Sequence, residues 1–418
     1  MSNGRAAAPL TPSTLTPPMP AERARPRLVH LTTTDISLAL LLGPQLRAFQ
    51  NAGFEVIGVS APGPFVETIE RDGIRHVALQ HSTRSMQPRE DAAALVELIS
   101  LFRRLQPSIV HTHNPKPGVY GRLAARAAGV PVIVNTVHGL YALPEDALTK
   151  RAVVYGLERV AASVSHAELL QNVEDVAVLR RLHVPDAKVS VLGNGIDLAR
   201  FDPERVDAGR VAVLRKEMGA PDEADSEAVI VGLVGRLVWE KGYREVLDAA
   251  RRLSTEAPQV RFVIVGGRED AKADALSPDD IASAERLGNV VFLGHRDDVE
   301  DLYPAFDIFA LASYREGFPR TPMEASALGL PIIATDIRGC RQVVDDGITG
   351  RLVAPRSSGA LATAILELAS DPQRRRAMGA AARAKAIAEF DQQRVIDHTL
   401  ATYERLLARR APRPASRG

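Results

Sequence analysis

Two doubly wound parallel sheets facing each other across a cleft form the α/β fold class that this chain predicts. Short β-branched runs alternate with apolar-periodic helical stretches almost without interruption from residue 27 to residue 390. The alternation begins afresh near residue 228, after a charged stretch (197–227) that holds Pro203 and Pro221. At 418 residues the chain exceeds one ordinary core and suits two of moderate size. Alternating strands and helices imply a parallel sheet covered on both faces, and ligands of such sheets bind beyond the carboxyl ends of the strands.

In the first half the predicted strands are Leu28–Thr32, Val56–Val59, His76–Leu79, Ile109–Thr112, Val132–Thr136 and Val189–Leu192. Helical patterns fall near Leu40–Ala52, Ala92–Leu105, Gly118–Ala128, Lys150–Ala162 and Val173–Leu182. The second half predicts strands at Ala228–Val234, Arg261–Val265, Val290–Leu293, Ile308–Leu311, Pro331–Ala334 and Leu352–Val353. Domains are therefore expected over 27–200 and 201–390, with disordered tails at 1–26 and 410–418 rich in Ala, Pro, Ser or Arg.

Composition narrows the function. A net charge of +1 provides no global field for nucleic acid. Residues 201–388 carry 25 Lys and Arg against 30 Asp and Glu, so an anion bound there must be held by local cations. Cys340 is the single cysteine, which excludes an intrachain disulfide and fits a reducing compartment. No apolar run reaches the eighteen or so residues of a membrane span.

Four sites carry chemistry. Gly235-Arg236 falls past the end of the strand Ala228–Val234, and Lys241-Gly242 precedes the next helix, so a guanidinium and an ammonium can share a diphosphate at the cleft edge. A solvated turn with ordinary surface charges explains the same residues. Glu316 lies in the loop past Ile308–Leu311 and gains nothing structural there. Glu324 follows Thr321 and Pro322 as a capping box would, and taken alone capping explains it better. His138, next to Gly139 at the end of Val132–Thr136, is placed to hydrogen-bond a ligand across the cleft.

Weaker candidates surround these. His111 and His113 share one face of an extended segment, but no third ligand is evident from the sequence, so a loop near the acceptor is the expectation and a metal pair is not. His30 reads as a core histidine. Asn114 to Gly118, with Lys116, is either an acceptor-phosphate contact or a plain strand–helix connection. His295 and Arg296 follow Val290–Leu293, where a nucleobase can meet them.

The motifs Thr-Val-His-Gly (136–139), Gly-Asn-Gly-Ile-Asp (193–197), Gly-Arg-x4-Lys-Gly (235–242), Glu-x7-Glu (316–324) and Thr-Asp-Ile-Arg-Gly-Cys (335–340) occur in that order. In these the sequence resembles the retaining, nucleotide-sugar-dependent glycosyltransferases of family 4, which have the GT-B fold of two Rossmann-like domains. Within that family it looks like the bacterial enzymes of exopolysaccharide and capsule assembly. The resemblance implies that Arg236 and Lys241 hold the donor diphosphate and that Glu324 binds the ribose. Glu316, with Gly317, Phe318 and Pro319, would meet the transferred sugar, and His138 would stabilise charge at the reaction centre. It further implies no metal or cofactor, a final helix (391–409) that crosses back to the first domain, and an acceptor that is a saccharide, typically linked to a polyprenyl diphosphate. The setting it implies is cytoplasmic, with peripheral contact at the inner membrane face; Arg103, Arg104, Arg122, Arg126, Arg180 and Arg181 are either a patch for anionic lipid or a solvated surface. Thr32-Thr33-Thr34-Asp35 stands where many members carry a double-glycine loop, so backbone contacts to phosphate are not expected from it.

Two other readings compete. A GT-B-like epimerase would act on free nucleotide sugar without an acceptor. A silent nucleotide-sugar-binding regulator would bind donor without turnover, and the intact pair Glu316 and Glu324 speaks against it.

Overall fold

The structure is a computed structural model that describes residues 25–83, 87–113, 115–142, 146–220, 228–269 and 272–410. Most of both expected tails, Asn114 and Pro221 lie outside the described residues.

The first lobe is built on β1 (Arg27–Thr34), β2 (Glu55–Ala61), β3 (Arg75–Ala78), β4 (Ile109–His113), β5 (Val132–Val137), β6 (Ala167–Leu170) and β7 (Val189–Val191). These form one parallel sheet in the order β3-β2-β1-β4-β5-β6-β7. The second lobe uses β8 (Val229–Val234), β9 (Val260–Val265), β10 (Val290–Gly294), β11 (Ile308–Leu311), β12 (Ile332–Thr335) and β13 (Gly350–Val353), ordered β10-β9-β8-β11-β12-β13. Every pairing in this sheet is parallel too. The strands β4, β5, β11 and β12 are buried along their whole length, because helices cover both faces.

The strand β6 was not expected. Its four residues, Ala-Glu-Leu-Leu, have the composition of a helix, and they pair as a strand because β5 and β7 offer ladders on both sides. In both sheets the order reverses beside a central strand, between β1 and β4 and between β8 and β11. The loops leaving those strands diverge there and open a crevice.

Two strands of chain join the lobes side by side. The amide of Ile196 donates to the Phe390 carbonyl at 2.8 Å, and the amide of Gln392 donates to the Ile196 carbonyl at 3.0 Å. The last helix, Gln392–Ala408, then lies on the first lobe, where Ile396, Tyr403 and Leu406 join the core of Leu28, Phe49 and Val134.

Candidate active site

The mouth of the cleft lies where the loop after β5 meets the loop after β11. A Cβ on Gly317 would stand 1.9 Å from the His138 carbonyl oxygen, so only glycine allows the lobes to touch. Polar contacts fasten this junction. The side-chain amide of Asn172 donates to the carbonyls of Gly317 (3.2 Å) and Arg338 (3.1 Å), and that of Asn194 donates to Phe318 (2.9 Å). Arg338 pairs with the buried Asp175, whose carboxyl burial pushes up to about 6, and Arg341 pairs with Glu174 at 2.9 Å.

Lys241 and Glu316 come together at this junction. The Lys241 ammonium donates to Glu316 Oε1 at 2.6 Å, with both side chains mostly shielded. Gly242 sits at φ +77°, where a Cβ would meet the Ala312 carbonyl oxygen at 2.0 Å; that close turn delivers Lys241 to the end of β11. His138 and Glu316 line the same two adjoining cavities, of about 290 and 410 Å³. The larger one also has Thr32, Thr33, Gln171, Gly317, Phe318 and Pro319 in its wall. Phe318 is braced edge-on against Phe390, centroids 6.0 Å apart.

Burial pushes the His138 imidazole down to about 4, so it is neutral at ordinary pH. Glu324 departs from expectation. The helix Arg320–Ala327 is capped by Pro319 without any side-chain bond, and Thr321 and Pro322 lie inside its first turn. The capping box is therefore absent: the Glu324 carboxylate accepts from the Tyr303 hydroxyl at 2.8 Å, and burial raises its pKa. Arg236 is half-exposed at the end of β8 and pairs with Glu269 at 2.8 Å.

Other candidates are placed differently from what spacing suggested. His111 belongs to the interior of β4, not to a loop near an acceptor; its Nε2 lies 2.7 Å from Thr136 Oγ1 and its Nδ1 contacts the Tyr403 hydroxyl. His113 lines the larger cavity. With His30 these two histidines form the group of described residues whose ring nitrogens, within 4.8 Å of one another, could hold a metal ion. All six nitrogens, however, already face a hydrogen-bond partner. Lys116 pairs with Asp91 and donates to Thr83 at 2.9 and 3.0 Å. Arg296 is held by Asp298 (2.7 Å) and Glu217 (2.6 Å), while His295 is largely exposed beside Asp297. Arg122 is no part of a surface patch, because it is fully buried between Glu158 and Glu168.

Gln171, Asn172, Tyr303 and Tyr403 were not anticipated. Gln171 and Asn172 directly follow β6, so recognising that strand would have placed them at the cleft. Tyr303 and Tyr403 had no local signal.

Two family models cover this architecture: residues 33–166 match the glycosyl transferase 4-like domain, and residues 215–385 match glycosyl transferases group 1. Over 315 residues the chain is 30% identical to the UDP-Gal:alpha-D-GlcNAc-diphosphoundecaprenol alpha-1,3-galactosyltransferase of Escherichia coli, covering 74% of this chain and 78% of that one. The chain belongs to the family 4-like glycosyltransferases. This glycosyltransferase is also similar to the capsular polysaccharide biosynthesis glycosyltransferase CapM of Staphylococcus aureus, at 25% identity over 91% of this chain and 97% of its relative. HepE of Anabaena, solved in complex with UDP and glucose, superposes with a TM-score of 0.74 at 20% identity, covering 91% of this chain and 99% of its own. Sucrose-phosphate synthase of Thermosynechococcus elongatus gives 0.73 at 21%, covering 92% and 100%. The glycosyltransferase thus has the GT-B fold. Among its described residues no helix is long and apolar enough to cross a membrane.

Proposed function

We propose that this glycosyltransferase moves a sugar, with retention of anomeric configuration, from a nucleoside-diphosphate sugar to a hydroxyl of a saccharide carried on a polyprenyl diphosphate. The observation that carries this reading is Glu316, paired with Lys241, lining the same two cavities as His138. Lys241 and Arg236 supply positive charge for the diphosphate, and stabilising the leaving group's growing negative charge is usually the largest catalytic term. Glu316 accepts hydrogen bonds from hydroxyls of the sugar, and Glu324 from those of the ribose. As the bond from the anomeric carbon to the phosphate oxygen breaks, the acceptor oxygen bonds the same face of that carbon. Its proton passes to the departing phosphate oxygen, so charge and atoms balance. Neutral His138 contacts the donor sugar without adding a cation beside the oxocarbenium-like centre.

The acceptor class is supported by the Escherichia coli relative, whose name specifies a diphosphoundecaprenol-linked sugar. A mainly apolar pocket formed by Pro115, Val119, Tyr120, Leu140, Tyr141 and Leu157 adjoins the catalytic cavity, with which it shares Pro115, Leu140 and Tyr141, and it suits the first isoprene units. Peripheral membrane contact follows from such an acceptor. The test supplies a panel of nucleotide sugars with and without a polyprenyl-diphosphate-linked monosaccharide, following nucleoside diphosphate release and the anomeric proton coupling of the product. Acceptor-dependent release with the donor's configuration is expected; release or epimerisation of free donor without acceptor overturns the reading.

A further inference from the structure

A single file of hydrogen bonds runs inward from the cleft. His138 Nε2 lies 3.0 Å from His113 Nδ1, and His113 Nε2 lies 3.0 Å from His30 Nδ1. His30 Nε2 faces the Tyr403 hydroxyl at 3.3 Å, that hydroxyl contacts His111 Nδ1, and His111 Nε2 ends the file 2.7 Å from Thr136 Oγ1. The rings are stacked or tilted against one another, with centroids 4.5 Å apart for His111 and His113 and 5.2 Å for His113 and His138. His30 and Tyr403 are wholly buried, and His111, His113 and Thr136 nearly so. Burial also pushes all four imidazoles down, which makes the file neutral.

A neutral imidazole has one donor and one acceptor nitrogen, and which one carries the proton is set by the partner of the other. Every link is satisfied only when all of them point the same way. If Thr136 donates to His111, the protons run outward and His138 must hold its proton on Nδ1. If His138 donates to His113, they run inward and Nδ1 is unprotonated, an acceptor; the Gln171 side chain is a further partner of this ring. One hydroxyl on the last helix, 265 positions away in sequence, therefore couples the tautomer of the cleft histidine to the core.

We propose that Tyr403, His30 and His113 are positioning residues for glycosyl transfer: their hydrogen-bonded file holds His138 in one tautomer and orientation, so the C-terminal helix completes the active site. This rests on the reading that His138 meets the donor sugar. The alternative use of the same cluster, a buried metal site, would have to displace these bonds.

Tyr403→Phe tests it, since the ring keeps its edge contacts with Phe49 and Phe54, at 5.4 and 5.8 Å, and loses only the hydroxyl. Nitrogen-15 spectra of the imidazoles are expected to show one tautomer of His138 in the native protein and a mixture in Tyr403→Phe. The kcat should fall roughly 10–100-fold, by analogy with metal-bound imidazoles that lose their outer hydrogen-bond partner, with donor KM nearly unchanged. Thr136→Val, at the far end of the file, should move both readouts in the same direction by less. The tautomer measurement needs no turnover, so it stands even if the proposed acceptor is wrong. An unchanged His138 tautomer in both variants, or a stoichiometric metal ion in the purified protein bound by these imidazoles, overturns the proposal.

Discussion

The two lobes share one architecture and differ in what they bury. Beneath the second sheet the interior is mostly apolar, a packing of residues such as Val231, Phe262, Phe309 and Ile365, and its buried carboxylate Glu324 is met by the Tyr303 hydroxyl. The first lobe encloses four imidazoles with Tyr403, and separately an Arg122 guanidinium held between Glu158 and Glu168 at 2.8 and 2.7 Å. In the proposed reading the second lobe meets an anionic donor with side chains at its edge, of which Arg236 is half-exposed. In the same reading the first lobe fixes the proton of one neutral histidine from behind, which requires buried polar groups with satisfied partners.

Acid should separate the lobes most. The four imidazoles have folded pKa values pushed below the ordinary 6.5, to about 3 for His30 and about 4 for His138. Their stabilising contribution is complete above pH 6.5 and is lost as pH falls towards those folded values, at about 1.4 kcal/mol per pH unit for each group. Glu168 and Asp175, pushed up by burial, work in the opposite direction but are fewer. Trp239 is the only tryptophan and packs against the second lobe's core. On acidification below pH 6, far-ultraviolet circular dichroism should therefore be lost before Trp239 fluorescence changes; coincident transitions would show that the lobes do not differ in this way.

Next in size, Arg122→Ala leaves two buried carboxylates unpaired and should destabilise the first lobe by about 3–5 kcal/mol, read from urea unfolding. Replacing the whole triad by apolar residues should be far milder. Glu316→Gln should reduce kcat on the order of 10²–10³-fold with donor affinity within a few-fold and Tm close to native, because the defect lies at the rim of the second lobe and not in its core. Arg236→Ala, at a side chain 45% exposed, should weaken donor binding only about tenfold, as seen by calorimetry. A large loss of folding stability from either rim variant would erase the distinction between the lobes.

How much was legible follows the same divide. The parallel sheets, the cleft and the positions of Arg236, Lys241, Glu316 and His138 at strand ends could be read because alternating runs announce parallel strands and ligand sites follow their carboxyl ends. The capping reading of Glu324 failed because Thr-Pro-x-Glu looks like a cap locally, whereas Pro319 caps the helix two residues before Thr321 and the carboxylate accepts from Tyr303. The strand β6 was missed because four residues of helical propensity become a strand only through their neighbours.

Periodicity and local motif order, both properties of residues close together in the chain, were enough to establish the fold class and the strand ends where the candidate loops stand. The pairing of Lys241 with Glu316, the caging of Arg122 and the file from His138 to Tyr403 join residues 25 to 373 positions apart. Such contacts leave no periodic trace, because the partner of a buried polar group is chosen by the packing of sheets and helices and not by its neighbours along the chain.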